Sequence, residues 1–291
     1  QPLTDPGALL LRIHPDMGLA DAIACIEQWR TQGLGALDIE ARLAQWNHQY
    51  DGLIQRLNTW IDVPGRREGG RWVSAIDRRR AADRVLHAWR HVRGASATDD
   101  VGNIHSLDFS DLCLGDIAPL NASLDHVTTL DLSGVRLGAH GSSGFISEFP
   151  ALNTLRLNNN RLTRLPEALG SLDNLTRLEA SYNLLESGEH LQRQLQSLAH
   201  LQWLDLSYNG LDSFDLTGLN QLQTLNLRGN NLERWPVCAL TSPALGALDL
   251  SNNHIDYIPS ELFEGNNDGL MAHTNLSDNL LSSVSYSTLR D

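Results

Sequence analysis

Lysine is missing from all 291 residues, so each of the 22 basic side chains is an arginine. Codon bias in a GC-rich genome is the expected reason, with a functional one as the alternative, since the composition leaves the chain with no side-chain acceptor for ubiquitin. Cysteine is scarce: Cys25, Cys113 and Cys238 are odd in number, widely spread and set in no metal or redox spacing. All three are therefore expected to be reduced and mostly buried, and a disulfide-capped extracellular architecture is disfavoured. No apolar run approaches 18 residues, so no membrane-spanning helix is expected. The chain opens at Gln1 without the charged, apolar and small-residue succession of a signal peptide, and is expected to be a fragment or a processed product. The sequons at Asn121, Asn174 and Asn275 are short enough to arise by chance.

Charge is unevenly placed. Residues 1 to 100 hold 13 arginines against 13 carboxylates, whereas residues 101 to 291 hold 9 against 22, so the net charge of −13 belongs to the second part. A surface of that sign repels nucleic acid and anionic membrane and attracts a basic protein surface.

The second part is built on one recurring phrase. Its clearest copy is Leu152-x-x-Leu155-x-Leu157-x-x-Asn160-x-Leu162, followed by Leu165-Pro166. Further copies start at Leu175, Leu201, Leu222, Leu245 and Met271, each with asparagine ninth: Asn183, Asn209, Asn230, Asn253 and Asn279. Two weaker copies start at Ile104 and Val127, with Leu112 and Val135 in the ninth place, as expected of atypical terminal units. The eight starts are 21 to 26 residues apart, the period of a leucine-rich repeat. The expected fold is α/β: a leucine-rich repeat solenoid of about eight units over residues 101–291, with a parallel concave sheet, preceded by an all-α region over residues 1–100. The fourth and sixth residues of each unit point into a shared core, and the ninth-place asparagines satisfy backbone groups where the chain turns out of the strand. Trp235-Pro236 occupies the place that Leu165-Pro166 holds three units earlier.

Residues 1 to 100 show helical periodicity. Ile39, Leu43, Trp46, Tyr50, Leu53, Leu57 and Trp60 alternate by four and three, which predicts a long helix N-capped by Asp38 and ending before Val63-Pro64-Gly65. A second helix sets Trp72, Ile76, Ala82, Val85, Leu86 and Trp89 on a packing face, with Arg78, Arg79, Arg80, Arg84, Arg90 and Arg93 on the solvated one. A shorter helix is expected over about 19 to 31. The five tryptophans here are expected in packing, with the helices closing the open end of the first repeat and residues 94–97 as the joint. His87 and His91 share a helix face, but no third ligand accompanies them, so no metal and no other cofactor is assigned.

In each repeat the third, fifth and seventh residues emerge on the concave face. Its middle copies present Arg156, Arg177, Glu179, Trp203, Asp205 and Arg228, flanked by Tyr182 and Tyr208. Aromatics ringed by arginines and carboxylates have the composition of a protein-binding hot spot, and these eight residues are the candidate partner site. No glycine loop for nucleotides, no zinc-protease helix and no serine or cysteine paired with histidine accompanies them.

The segments Leu57-Asn-Thr-Trp60, Arg78 to Trp89-Arg90, Leu107-Asp-Phe-Ser110 and Thr129-Leu-Asp-Leu-Ser133-Gly134, leading into Phe149-Pro-Ala-Leu152, resemble the helical and leucine-rich regions of large bacterial effector or toxin proteins. Those proteins end in a "novel E3 ligase" (NEL) domain. The resemblance covers about residues 40 to 291. It implies secretion by a bacterium, action in the host cytoplasm as a virulence factor, and a concave face that reads a host target or restrains the protein's own C-terminal catalytic domain. The family's nucleophile lies in a Cys-x-Asp motif, and none of Cys25, Cys113 or Cys238 stands in one, so no catalytic residue is expected in this chain. The eighth repeat stops at Asp291 without a polar cap, which predicts further sequence beyond it. A non-catalytic binding scaffold is the alternative expectation.

Overall fold

The computed structural model describes residues 5–63, 72–94, 105–139 and 141–282. Pro64-Gly65, the expected joint residues 95–97, the repeat start at Ile104 and the final residues around Asp291 lie outside them.

Four helices come first: α1 (Pro6–Ile13), α2 (Leu19–Thr31), α3 (Ala36–Asp62) and α4 (Ala75–His91). Three of the four starts carry a side-chain hydrogen bond. Asp5 caps α1 by accepting from the Ala8 N–H at 3.0 Å, and Pro6 fills the first helical position, where no N–H is needed. Helix α3 starts two residues before the expected cap. Asp38 sits inside its first turn and reaches back to the Gly35 N–H at 3.2 Å, so it serves the helix end from within. Ser74 caps α4 through the Asp77 N–H at 3.2 Å.

Eight short strands follow in one parallel sheet, ordered β1 to β8 as in the chain: Ser106–Asp108, Thr129–Asp131, Thr154–Arg156, Arg177–Glu179, Trp203–Asp205, Thr224–Asn226, Ala247–Asp249 and Thr274–Asn275. The fourth-place residues are in register throughout, from Leu107 opposite Leu130 to Leu248 opposite Thr274. The seven leucines of that row are buried, and each contributes on the order of 2 kcal/mol of transfer free energy. In the last coil, Thr274 takes the leucine place, Leu270 is buried and the expected repeat start Met271 is exposed. Repeat length is absorbed on the outer side. The 26-residue spacing from Leu175 to Leu201 holds α6 (Glu189–Gln196), which buries Leu191 and Leu195, whereas the second coil has only α5 (Ser143–Ile146) and the third a 3-10 turn over Glu167–Ser171. Helix α7 (Asp268–Ala272) closes the series.

The asparagine ladder follows from hydrogen-bond bookkeeping. The Asn209 Nδ2 donates to Ala180 O in the preceding coil and Leu206 O in its own, both at 3.0 Å, while its Oδ1 accepts from the Leu185 N–H at 3.0 Å. Asn160, Asn183, Asn230, Asn253 and Asn279 repeat the arrangement. In the first two coils the apolar Leu112 and Val135 are buried instead, beside Phe109, Phe145 and Phe149.

The helices share one apolar core with the coils, and the arginines of α4 weld them together. Arg78 is 5% exposed. Its Nε donates to Leu114 O at 2.9 Å and its Nη1 to Trp60 O at 2.7 Å, with the guanidinium over the Trp60 ring. The Trp60 indole N–H donates in turn to Asp116 O at 2.9 Å. Arg84 reaches Asp108 O, Arg90 donates to Ile13 O, and Arg93 is buried over Trp89. The expected solvated arginine face is thus corrected in part: Arg79, Arg80 and Arg84 are exposed, whereas Arg78 and Arg93 are buried and Arg90 is half-buried, their guanidinium groups bonded to carbonyls. The packing face is corrected at its N-terminal end, where Trp72 precedes the helix and is 65% exposed and Ile76 is 62% exposed. Trp29, Trp60 and Trp89 are buried as expected. The thiols are free, but Cys238 is exposed and the other two are only partly covered, so burial does not explain them.

Candidate protein-binding face

Strand alternation sends the third and fifth residues outward, but the fifth column does more than face solvent. Asp108, Asp131, Asp205, Asn226, Asp249 and Asn275 each accept, through one side-chain oxygen, the N–H two residues on, at 2.7 to 3.1 Å. The column is a second polar ladder that sets the exit from six of the eight strands. Asp205, a candidate contact residue, is therefore also a structural one. The signal was visible in the recurring Asp-x-Ser at 108–110, 131–133, 205–207 and 249–251.

Coils three and four break this ladder, and there the charged site lies. Arg156 and Glu179 hold the fifth places, and Asn158 takes over by accepting the Ser181 N–H at 2.8 Å while donating to Glu179 at 3.1 Å. Glu179 then gathers the cations: Arg177 Nε at 2.6 Å and Arg156 Nε at 3.4 Å, with Asp131 at 3.9 Å from Arg156 on the far side. Burial pushes the Glu179 carboxyl pKa up, but the bonds from Arg177 and Asn158 and the charges of Arg177 and Arg156 outweigh it and hold the group below the ordinary carboxylate value. The Arg177 guanidinium also lies 4.2 Å from the Trp203 ring centroid. Trp203 stays 36% exposed on β5.

The eighth place supplies the other aromatics. In all eight coils this residue is left-handed: Asp111, Gly134, Asn159, Tyr182, Tyr208, Gly229, Asn252 and Asp278. Aspartate, asparagine and glycine tolerate that backbone; a tyrosine is disfavoured in it by on the order of 1 to 2 kcal/mol. Tyr182 and Tyr208, in neighbouring coils at φ 52° and 53°, are the two exceptions, and their rings stack at 4.4 Å and 11°. Tyr182 is 55% exposed. The next coil makes room: a Cβ on Gly229 would stand 2.5 Å from the Tyr208 ring. Arg228 lies 5.9 Å from the Tyr208 centroid.

The eight predicted residues therefore form two linked sets, one of Arg156, Arg177, Glu179 and Trp203, the other of Tyr182, Tyr208 and Arg228, with Asp205 on β5. Among the described residues no three histidine, cysteine or acidic side chains are grouped to hold a metal, and no helix is long and apolar enough to cross a membrane.

A leucine-rich repeat family model matches residues 125–185, and a second leucine-rich repeat model matches residues 200–222 and 221–242. The mouse (Mus musculus) CD180 antigen is 34% identical over 142 residues, which are 46% of this chain and 21% of that protein. Chicken (Gallus gallus) Tsukushi is 34% identical over 110 residues, 37% of this chain and 30% of the relative. The transforming growth factor beta activator LRRC33 of Danio rerio is 30% identical over 177 residues, covering 57% and 25%. The chain thus spans less than a third of the length of these relatives. Among solved structures, an internalin C2 of Listeria monocytogenes is 22% identical with a TM-score of 0.47, covering 68% of this chain and 92% of its own. An internalin (inlF) from the same species is 20% identical with a TM-score of 0.46, covering 65% and 50%. The chain carries a leucine-rich repeat region, folded as a solenoid of eight parallel strands, the scaffold of a protein-binding module.

Proposed function

We propose that the concave face between β3 and β7 recognises a protein partner through Trp203, Tyr182 and Tyr208, with Arg156, Arg177, Glu179, Asp205 and Arg228 around them. One observation carries this reading: two adjacent coils place tyrosine where the backbone favours asparagine or glycine, and the rings stack in the open. Strain retained at exposed side chains points to a use outside the fold. A photo-crosslinking residue installed at Thr224 on the face, and another at Arg161, outside the three face columns, tests it. Adducts formed from Thr224, absent from Arg161 and lost in Trp203→Ala/Tyr182→Ala, are expected; adducts indifferent to those substitutions would overturn the reading.

Within that reading, the region serves as the target-reading part of a NEL-type E3 ubiquitin ligase that a bacterium secretes and that acts in the host cytoplasm. The segments 57–60, 78–90, 107–110 and 129–134 support this placement by their resemblance. Ubiquitin transfer by the full gene product, through a thioester on a Cys-x-Asp cysteine outside these residues, is the expected result. A gene product without that motif or that transfer leaves a non-catalytic binding scaffold.

A further inference from the structure

We infer that the segment docking on this face is cationic, an arginine- or lysine-rich stretch of the partner laid across β5 to β7. The inference rests on the protein-binding reading above and narrows it to one partner chemistry.

Arginines exposed on a concave sheet would ordinarily suggest an acidic partner. Here their charge is largely used within the chain. Arg156 lies between Asp131 and Glu179, and Arg177 is held by Glu179 and by the face of Trp203. The opposite holds on the C-terminal side. Asp205 and Asp249 each commit one oxygen to the strand exit, and among the described residues neither has a cation within ion-pair distance. They stand two strands apart, about 10 Å by ordinary sheet spacing, with the neutral Asn226 between them.

Beside these carboxylates are the aromatic groups. Trp203 heads the same strand as Asp205, and the Tyr182–Tyr208 stack rises at the strand exits with Tyr182 open to solvent. An aromatic face attracts guanidinium and ammonium groups, and the chain already uses it that way at Arg177 over Trp203. A partner cation would meet carboxylate and ring together. The wider field agrees: residues 101–291 hold 22 carboxylates against 9 arginines, so a basic segment is drawn in from a distance and an acidic one is held off. Arg228 is the one exposed cation of this part of the face. It lies toward Tyr208, at the edge, and leaves the row from Asp205 to Asp249 acidic.

The test compares charge in place with charge elsewhere. Asp205→Asn/Asp249→Asn keeps the oxygen that the strand exit needs, since Asn226 and Asn275 already perform that task in the same column. Asp212→Asn/Asp256→Asn removes equal charge from exposed residues off the sheet face. Titrated with a fluorescent nona-arginine peptide at physiological salt, the first pair is expected to weaken binding about tenfold or more and the second less than twofold, with Trp203→Ala weakening it as well. Equal weakening in both pairs would reduce the effect to net charge and overturn the inference, as would no weakening in the first. The two readings fail separately. If crosslinks at Thr224 survive Asp205→Asn/Asp249→Asn but not Trp203→Ala, the face binds protein and its partner is not cationic. If they survive all of these variants, the face is not the binding surface.

Discussion

The Arg177 guanidinium lies 4.2 Å from the Trp203 ring centroid while its Nε is 2.6 Å from Glu179, so one side chain joins the charged and aromatic halves of the concave face. Arg177→Ala removes a partly exposed ion pair and a cation–π contact, together about 1 kcal/mol of stability. Partner affinity is expected to fall more than that, because Trp203 loses the group that fixes its ring. Urea unfolding read beside binding separates the two; equal losses in both would show that Arg177 acts through stability alone.

Tyr182→Asn/Tyr208→Asn tests whether the aromatic pair is held against the preference of its backbone. Relief of two left-handed tyrosines is worth about 2 kcal/mol, and the lost stack about 1 kcal/mol, so the variant is expected to be more stable by about 1 kcal/mol. Its affinity for partner is expected to collapse. Thermal unfolding decides: a lower midpoint would mean that the stack contributes more than the strain.

The asparagine ladder is expected to be uneven in its importance. Asn230→Ala strips a buried site of its carbonyl contacts and leaves the Leu211 N–H without its acceptor, a loss of about 3 kcal/mol. Asn279→Ala, at a partly exposed site, is expected to lose about half as much. Denaturant midpoints measured side by side would contradict this if the two variants proved equal.

Acid is expected to loosen the junction of helices and coils before it reaches the charged face. Burial, then the charges of His105, His91 and Arg93, hold the His126 pKa below its ordinary value of 6.5 against the opposing charge of Asp125. The unfolded chain therefore binds the proton more readily, and this contribution is present above pH 6.5 and lost as pH falls through the lowered folded value. The contribution of Glu179, whose pKa is also lowered, starts to fall only below its ordinary value of 4.5. His126→Gln should flatten the stability profile just below pH 6.5 and leave the lower limb in place. An unchanged profile between pH 6.5 and 5 would remove His126 from the account.

The repeats were legible because their period is enforced by burial: leucine at the fourth and sixth places and asparagine at the ninth have few substitutes. What escaped was local. Helix α1 announced itself only by Asp5-Pro6, a cap and a first-turn proline, over eight residues. The left-handed eighth place was written in Asp111, Gly134, Asn159, Gly229, Asn252 and Asp278, but a column of loop residues attracts less notice than a column of leucines. Arg78 stands four and seven residues before Ala82 and Val85, so helical periodicity places it on the buried stripe, and its charge alone pointed to solvent. Its bonds to Trp60 O and Leu114 O are what make a buried guanidinium tolerable there.

The reach of each ninth-place amide into the coil before it gives the solenoid a direction. The Asn230 oxygen in the sixth coil accepts the Leu211 N–H of the fifth, and its amide N–H donates to Leu206 O of that same fifth coil. A coil is thus finished by its successor, and its outgoing loop is only as firm as the strand that comes next. Contact made on β6 would therefore be felt one coil upstream, at the turn that carries Tyr208, even before anything touched the tyrosine itself.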